Sequence, residues 1–93
     1  MEILSKTHIK FKSSPDFFEK EKSGNKTHII RRLSNDEKEF ISDNEPLYIT
    51  VCNSATKESF TRRIQEISNW YGATIIIWES IDLDTTSYIQ KTL

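Results

Sequence analysis

Five short runs of this 93-residue chain carry apolar residues at the spacing of strands rather than helices. Residues 7–12 set Ile9 and Phe11 against His8, Lys10 and Lys12. Residues 26–33 set Thr27, Ile29, Arg31 and Leu33 against Lys26, His28, Ile30 and Arg32, and residues 47–53 set Leu47, Ile49 and Val51 against Tyr48, Thr50 and Cys52. A period of two sends neighbouring side chains to opposite faces, so each run describes a half-buried strand. Residues 59–67 return from a turn over 53–58 and complete a hairpin. There Phe60, Arg62, Ile64 and Glu66 share a face, and Ile67 breaks the register, which calls for a bulge near Gln65 and Glu66. Residues 73–79 (ATIIIWE) are β-branched on both sides, the pattern of a central strand buried on both faces, with Trp78 in the core. The expected fold is α+β: a small mixed, mostly antiparallel sheet of about five strands, partly closed into a barrel, with one or two short helices.

The helices are marked by their ends. Ser14 can cap free amides, Pro15 suits the first helical position and Asp16 complements the positive end of the macrodipole, so a helix is expected over about 15–23, with Phe17 and Phe18 as its apolar anchor. Gly24 can take the left-handed conformation that ends it. Ser34-x-x-Glu37 has the form of a capping box and predicts a short helix or turn over 36–42, anchored by Phe40 and Ile41. In the tail, Ile81 and Leu83 are expected to extend the last strand after a bend, and Thr85, Thr86 and Ser87 to cap a turn of helix carrying Tyr88, Ile89 and Leu93.

The length fits one domain over 1–93, and 35% hydrophobic residues supply one modest core. The one cysteine, Cys52, cannot form an intramolecular disulfide and has no metal-ligand spacing around it. With no apolar run of signal-peptide or membrane-spanning length, the expectation is a cytoplasmic protein with no membrane partner. Charge is uneven: residues 1–33 carry eight Lys or Arg against four Asp or Glu, and residues 34–93 carry five against ten. If the two parts do not interleave, the molecule has a positive face, the kind that attracts anions.

The stretch FFEKEKSGNKTHIIRR, residues 17–32, concentrates the chemistry. It brings two basic residues and a hydroxyl close to a helix-ending turn, a cluster suited to holding a phosphate or a polarised carbonyl. The spacing Gly24-x-Lys26-Thr27-x-x-x-Arg31 resembles the signature of the ASCH domains, small β-barrels of the PUA-like superfamily. The order of elements agrees over about the whole chain, whereas the residue match is confined to this one motif. The resemblance implies a cleft that binds RNA, other nucleic acid or a nucleotide-like ligand, lined by Gly24, Lys26, Thr27, Arg31 and Arg32. Ile29 stands where the family usually has Glu, and where members that hydrolyse acylated cytidines have a nucleophilic Thr. An isoleucine does neither job, so the expected function is binding without catalysis, with no cofactor and no metal; a small amidohydrolase acting on modified nucleosides is the remoter alternative. Stand-alone proteins of this kind also occur on phages and mobile elements, which implies a second possibility: binding a host protein through the acidic segment 36–45.

Other residues qualify this reading. Trp70 and Tyr71, beside Gly72, are candidates to stack on bases. Of the adjacent Arg62 and Arg63 only one can serve a basic face. His8, His28 and Cys52 show no local pattern for a metal or nucleophilic site, even with both histidines on neighbouring strands. Lys26 and Arg31 are five positions apart, so strict alternation separates them, and one cleft can use both only across a bulge or if Lys26 still lies in the turn.

Overall fold

In the computed structural model, which describes residues 1–81, the long hairpin runs from β4 (Tyr48–Asn53) into β5 (Ser59–Trp70). Asn53 shapes the turn: its Oδ1 accepts hydrogen bonds from the amides of Ala55 and Thr56 at 2.9 and 3.2 Å, a side chain standing in for backbone. The register of β5 shifts between Ile64 and Glu66, the bulge that the misplaced Ile67 called for. Before it β5 pairs with β4, and beyond it with β6 (Ala73–Trp78). A bulge bends and twists its strand, so these two halves of β5 head in different directions.

The remaining strands attach at the two sides of this hairpin. β3 (His28–Arg31) pairs antiparallel with β6, and β2 (His8–Ser13) pairs with β4 and carries β1 (Glu2–Ser5) on its other side. The sheet order is β1-β2-β4-β5-β6-β3, six strands rather than about five. The extra strand is β1, whose Ile3 and Leu4 are adjacent and both exposed, so no alternation announces it. β2 and β4 run parallel, a geometry that a long connection permits and a hairpin does not. The sheet is thus mixed but mostly antiparallel, as expected, and the chain between these two strands holds α1 (Pro15–Ser23), β3 and α2 (Asn35–Asn44).

One hydrophobic core lies against the inner face, built from Ile9 and Phe11 of β2, Ile29 of β3, Ile49 and Val51 of β4, Phe60 of β5, and Ile76 and Trp78 of β6. Helix α1 closes it with Phe18, which is fully buried 5.4 Å from the Phe60 ring, while Phe17 is 54% exposed and anchors nothing in the core. Burying one such ring stabilises by roughly 2 kcal/mol. Ser14 occupies the N-cap of α1 without a side-chain cap bond; its carbonyl accepts from Phe18 at 2.8 Å instead. Gly24 ends α1 at φ 88°, as expected. The Ser34–Glu37 capping box of α2 is complete in both directions, and Ile41 is buried below it with Phe40 packed alongside.

Arg62 sits on the core face of β5, 2% exposed, with its guanidinium 4.4 Å over the Phe60 ring and donating to the carbonyls of Thr61 and Lys22 at 3.2 and 3.1 Å. A cation against the last carbonyls of α1 complements the negative end of the helix. It is therefore structural, and Arg63 is the exposed one of the pair. β6 ends at Trp78 and the chain bends at Ser80 and Ile81; the extension expected after a bend, through Leu83, and the expectations for 85–93 fall outside the described residues. No helix among the described residues is long and apolar enough to cross a membrane.

Candidate anion-binding groove

The short β1 creates the site. Its ladder on β2 ends at the Glu2–Lys10 pair, so Phe11 to Ser13 have no β1 partner along that edge. The end of β3 comes up to this open stretch. Arg31 donates from Nη2 to the Lys12 carbonyl at 2.9 Å and to Ser13 Oγ at 3.4 Å, and its guanidinium lies 5.8 Å from the Phe11 ring centroid. A planar donor fork thus satisfies backbone that no strand reaches.

Two depressions flank this contact and share Lys12 and Arg31 in their walls. The first, of ≈ 300 Å³, is bounded by the start and end of α1 and by β3, with Phe17, Glu21, Lys26 and His28 around it. The second, of ≈ 490 Å³, extends toward β1 and the start of α2, with Lys10, Arg32, Glu2 and Glu37 around it. The Glu37 carboxyl is held below its ordinary range chiefly by the Ser34 amide, which donates to it at 2.9 Å. Lys26 is paired with Glu21 at 3.2 Å. Among the described residues no carboxylate lies within ion-pair distance of Lys10, Lys12, Arg31 or Arg32. Four cations without an anionic partner thus line two adjoining depressions that share a wall.

The sequence motif is only partly assembled here. Lys26 and Arg31 do face one depression, because Lys26 precedes β3 and lies in the turn, held there by its amide bond to Lys20 O at 3.0 Å. Gly24 supplies the helix stop and stays outside both depressions, and Thr27 is used through its carbonyl, which accepts from the Trp78 amide at 3.0 Å. Ile29 is 0% exposed and packs into the core opposite Ile76. Trp70 and Tyr71 sit at the β5–β6 turn, 67% and 82% exposed, edge to face at 4.6 Å. They line neither depression, but Arg32 links them to the groove by donating to Tyr71 O at 3.4 Å.

Lys10 and Lys12 were legible only as the polar side of a strand; their alternation with Ile9 and Phe11 was the available signal. Glu21 carried no signal beyond its place three residues after Phe18, on the same helix face.

The histidines are not on neighbouring strands, since β2 and β3 share no ladder. His8 is buried, donating to or accepting from Thr50 Oγ1 at 2.6 Å, and Thr50 meets Thr61 Oγ1 at 2.8 Å. Burial lowers the His8 pKa from its ordinary value. Cys52 is buried on β4, and among the described residues no three His, Cys, Asp or Glu side chains are grouped to hold a metal ion. The sequence matches no model of a known protein family and no curated protein.

Proposed function

We propose that this protein is a PUA-like domain of the ASCH type that binds a nucleic acid or nucleotide through the groove between β2 and β3, without catalysis. The observation that carries the reading is the set of unpaired cations, Lys10, Lys12, Arg31 and Arg32, around two depressions that share a wall. Successive phosphates of one strand would meet successive cations along such a groove, and each contact would release counterions. The barrel belongs to the same proposal. The β5 bulge turns the sheet, and the Arg31–Lys12 bond joins its β3 end to β2. With Ile29 in the core, no hydroxyl or carboxylate stands at the position that acts in hydrolytic relatives of this type. The test is titration of RNA, single-stranded DNA, duplex DNA and mononucleotides at two salt concentrations. Binding that weakens with salt is expected, and no binding to any of them at low salt overturns the reading.

A second reading rests on the surface between α2 and β5. Helix α2 exposes Asp36, Glu39 and Asp43, and between it and β5 lies a concavity of ≈ 670 Å³ that includes Ile41, Leu47, Ile64 and Ile67. Glu45 and Glu66 stand in the wall of this hollow together with Lys38, while Asp36, Glu39 and Asp43 lie outside its lining; acids beside apolar side chains suit a protein partner with basic and apolar groups. In a protein of phage type that partner would belong to the host. Charge reversal at Glu45 and Glu66 would abolish such an interaction and leave nucleic-acid binding intact.

A further inference from the structure

Glu21 is the one acid built into the wall of the first depression below the surface: its side chain is 1% exposed, and only Oε2 has a partner, Lys26 Nζ at 3.2 Å. Oε1 is buried and accepts no hydrogen bond. A carboxylate oxygen left without a donor in a low-dielectric site costs free energy, and such an atom marks a place where a donor from outside is wanted. Helix geometry explains why it is there: Glu21 follows Phe18 by three positions, so the residue that anchors α1 in the core carries Glu21 inward with it. The Gly24 turn then brings Lys26 back over the carboxylate.

We infer that Glu21 and Lys26 read the edge of a nucleobase that presents an amino group beside a ring-nitrogen acceptor, as cytosine and adenine do. The inference rests on the binding function proposed above and specifies what its first depression selects. Oε1 accepts one hydrogen of the exocyclic amine, and Lys26 Nζ donates to the neighbouring ring nitrogen while keeping its contact with Oε2. Phe17, more than half exposed in the same wall, has Lys26 Nζ over its ring, 4.8 Å from the centroid. With the ammonium drawn to the edge of the base, the ring supplies a surface for the base to stack on, and Lys12 and Arg31 stand where the phosphate would lie. Lys26 can shift to admit the edge without leaving Oε2, because its side chain is 25% exposed and is held by Glu21 and by the face of the exposed Phe17 ring.

In the same pose uracil turns O4, an acceptor, toward Oε1 and turns N3–H toward the ammonium. Both contacts become repulsive. Guanine and hypoxanthine invert the pattern in the same way relative to adenine. The selectivity is therefore amino over keto, with cytosine against uracil as the near-isosteric comparison.

The test compares CMP with UMP, and oligo(C) with oligo(U), on the intact chain, so that free nucleotides and strands are separate arms. Cytosine is expected to bind roughly tenfold more tightly than uracil in at least one arm. Glu21→Gln decides the assignment: the Gln carbonyl takes the Lys26 bond, its amide then points a donor into the depression, and the preference should vanish or pass to uracil. Equal binding of the two bases by the wild-type chain overturns the inference and leaves the anion-binding reading intact. So does a Glu21→Gln variant that keeps the cytosine preference. If Glu21→Gln does not fold, Lys26→Met serves instead, and retention of the full preference in that variant overturns the inference. No binding of either base overturns the inference. The parent reading falls with it only if RNA, single-stranded DNA, duplex DNA and mononucleotides all fail to bind at low salt.

Discussion

Arg31 Nη2 donates to the backbone carbonyl of Lys12 at 2.9 Å, so the arginine that the motif marks as a ligand contact is also the strut that joins β3 to the open edge of β2. Its two roles have separable consequences. Arg31→Ala removes a charge from the groove and also exposes or strands the carbonyl, whereas Arg31→Lys keeps the charge and loses the fork.

Both Arg31 variants should therefore lose stability, by about 1–2 kcal/mol, since a hydrogen bond from a charged donor to backbone is lost in each. Only Arg31→Ala should reduce the salt dependence of nucleic-acid binding. Urea unfolding gives the first quantity and titration at several salt concentrations the second. Equal stability of wild type and Arg31→Ala would show that the Lys12 contact contributes nothing to the fold.

Arg62 gives a sharper stability prediction. Its guanidinium covers the Phe60 ring and donates to Lys22 O at the end of α1. Arg62→Ala should destabilise by roughly 2–4 kcal/mol, through a lost charged hydrogen bond, lost cation–π attraction and an unfilled volume. Arg62→Met fills most of that volume and should recover part of the loss. Denaturant midpoints of the three proteins would rank them, and an Arg62→Ala midpoint equal to wild type would place the guanidinium outside the cooperative core.

What was legible in the sequence follows from these cases. Strands β2, β4 and β5, the bulge, the Gly24 stop and the Ser34–Glu37 box each depend on neighbours within a few residues, and a local pattern announces them. β1 does not alternate, because as an exposed edge strand it has no face to bury. The parallel β2–β4 pairing comes from the long connection through α1, β3 and α2, which no local spacing encodes. Arg62 was placed on the Phe60 face by alternation alone, yet the ordinary exposure of arginine argued the other way. Only the position of the α1 C-terminus resolves that conflict. For the site, the five-residue gap between Lys26 and Arg31 seemed to part them, and they meet because the strand starts at His28, two residues later than the alternation began.

His8 predicts a pH dependence. Its folded pKa is lowered by burial, so the folded state favours the neutral ring while the unfolded chain titrates near the ordinary value of about 6.5. Below that value the unfolded state binds more protons than the folded one, so stability falls as pH drops from about 6.5 toward the lowered folded pKa and levels off beneath it. The slope from this one group cannot exceed about 1.4 kcal/mol per pH unit. His8→Gln, which can still hydrogen-bond Thr50, should flatten the curve between pH 6.5 and 5 (roughly the histidine range) by that share. An unchanged curve would assign the acid sensitivity to other groups.

Lys12 offers the cleanest test of the groove. Its side chain is exposed, lines both depressions, and takes part in no salt bridge among the described residues; the structural contact at this position runs through its backbone carbonyl. Lys12→Ala should then leave unfolding within about 0.5 kcal/mol of wild type, as for other exposed positions without such features. If a single strand passes from one depression to the other, it must cross Lys12. Losing that contact should weaken binding at low salt and lower the salt slope by roughly 0.7, the value for one phosphate contact on a single strand. Lys57→Ala, at an exposed turn on β4–β5 that borders neither depression, controls for loss of net positive charge. Equal slopes for wild type and Lys12→Ala, or an equal loss in Lys57→Ala, would mean that the anion does not run along the β2–β3 groove. A strand held in one depression alone would still meet Lys12, and the comparison of Lys10→Ala with Lys26→Ala would say which depression it occupies.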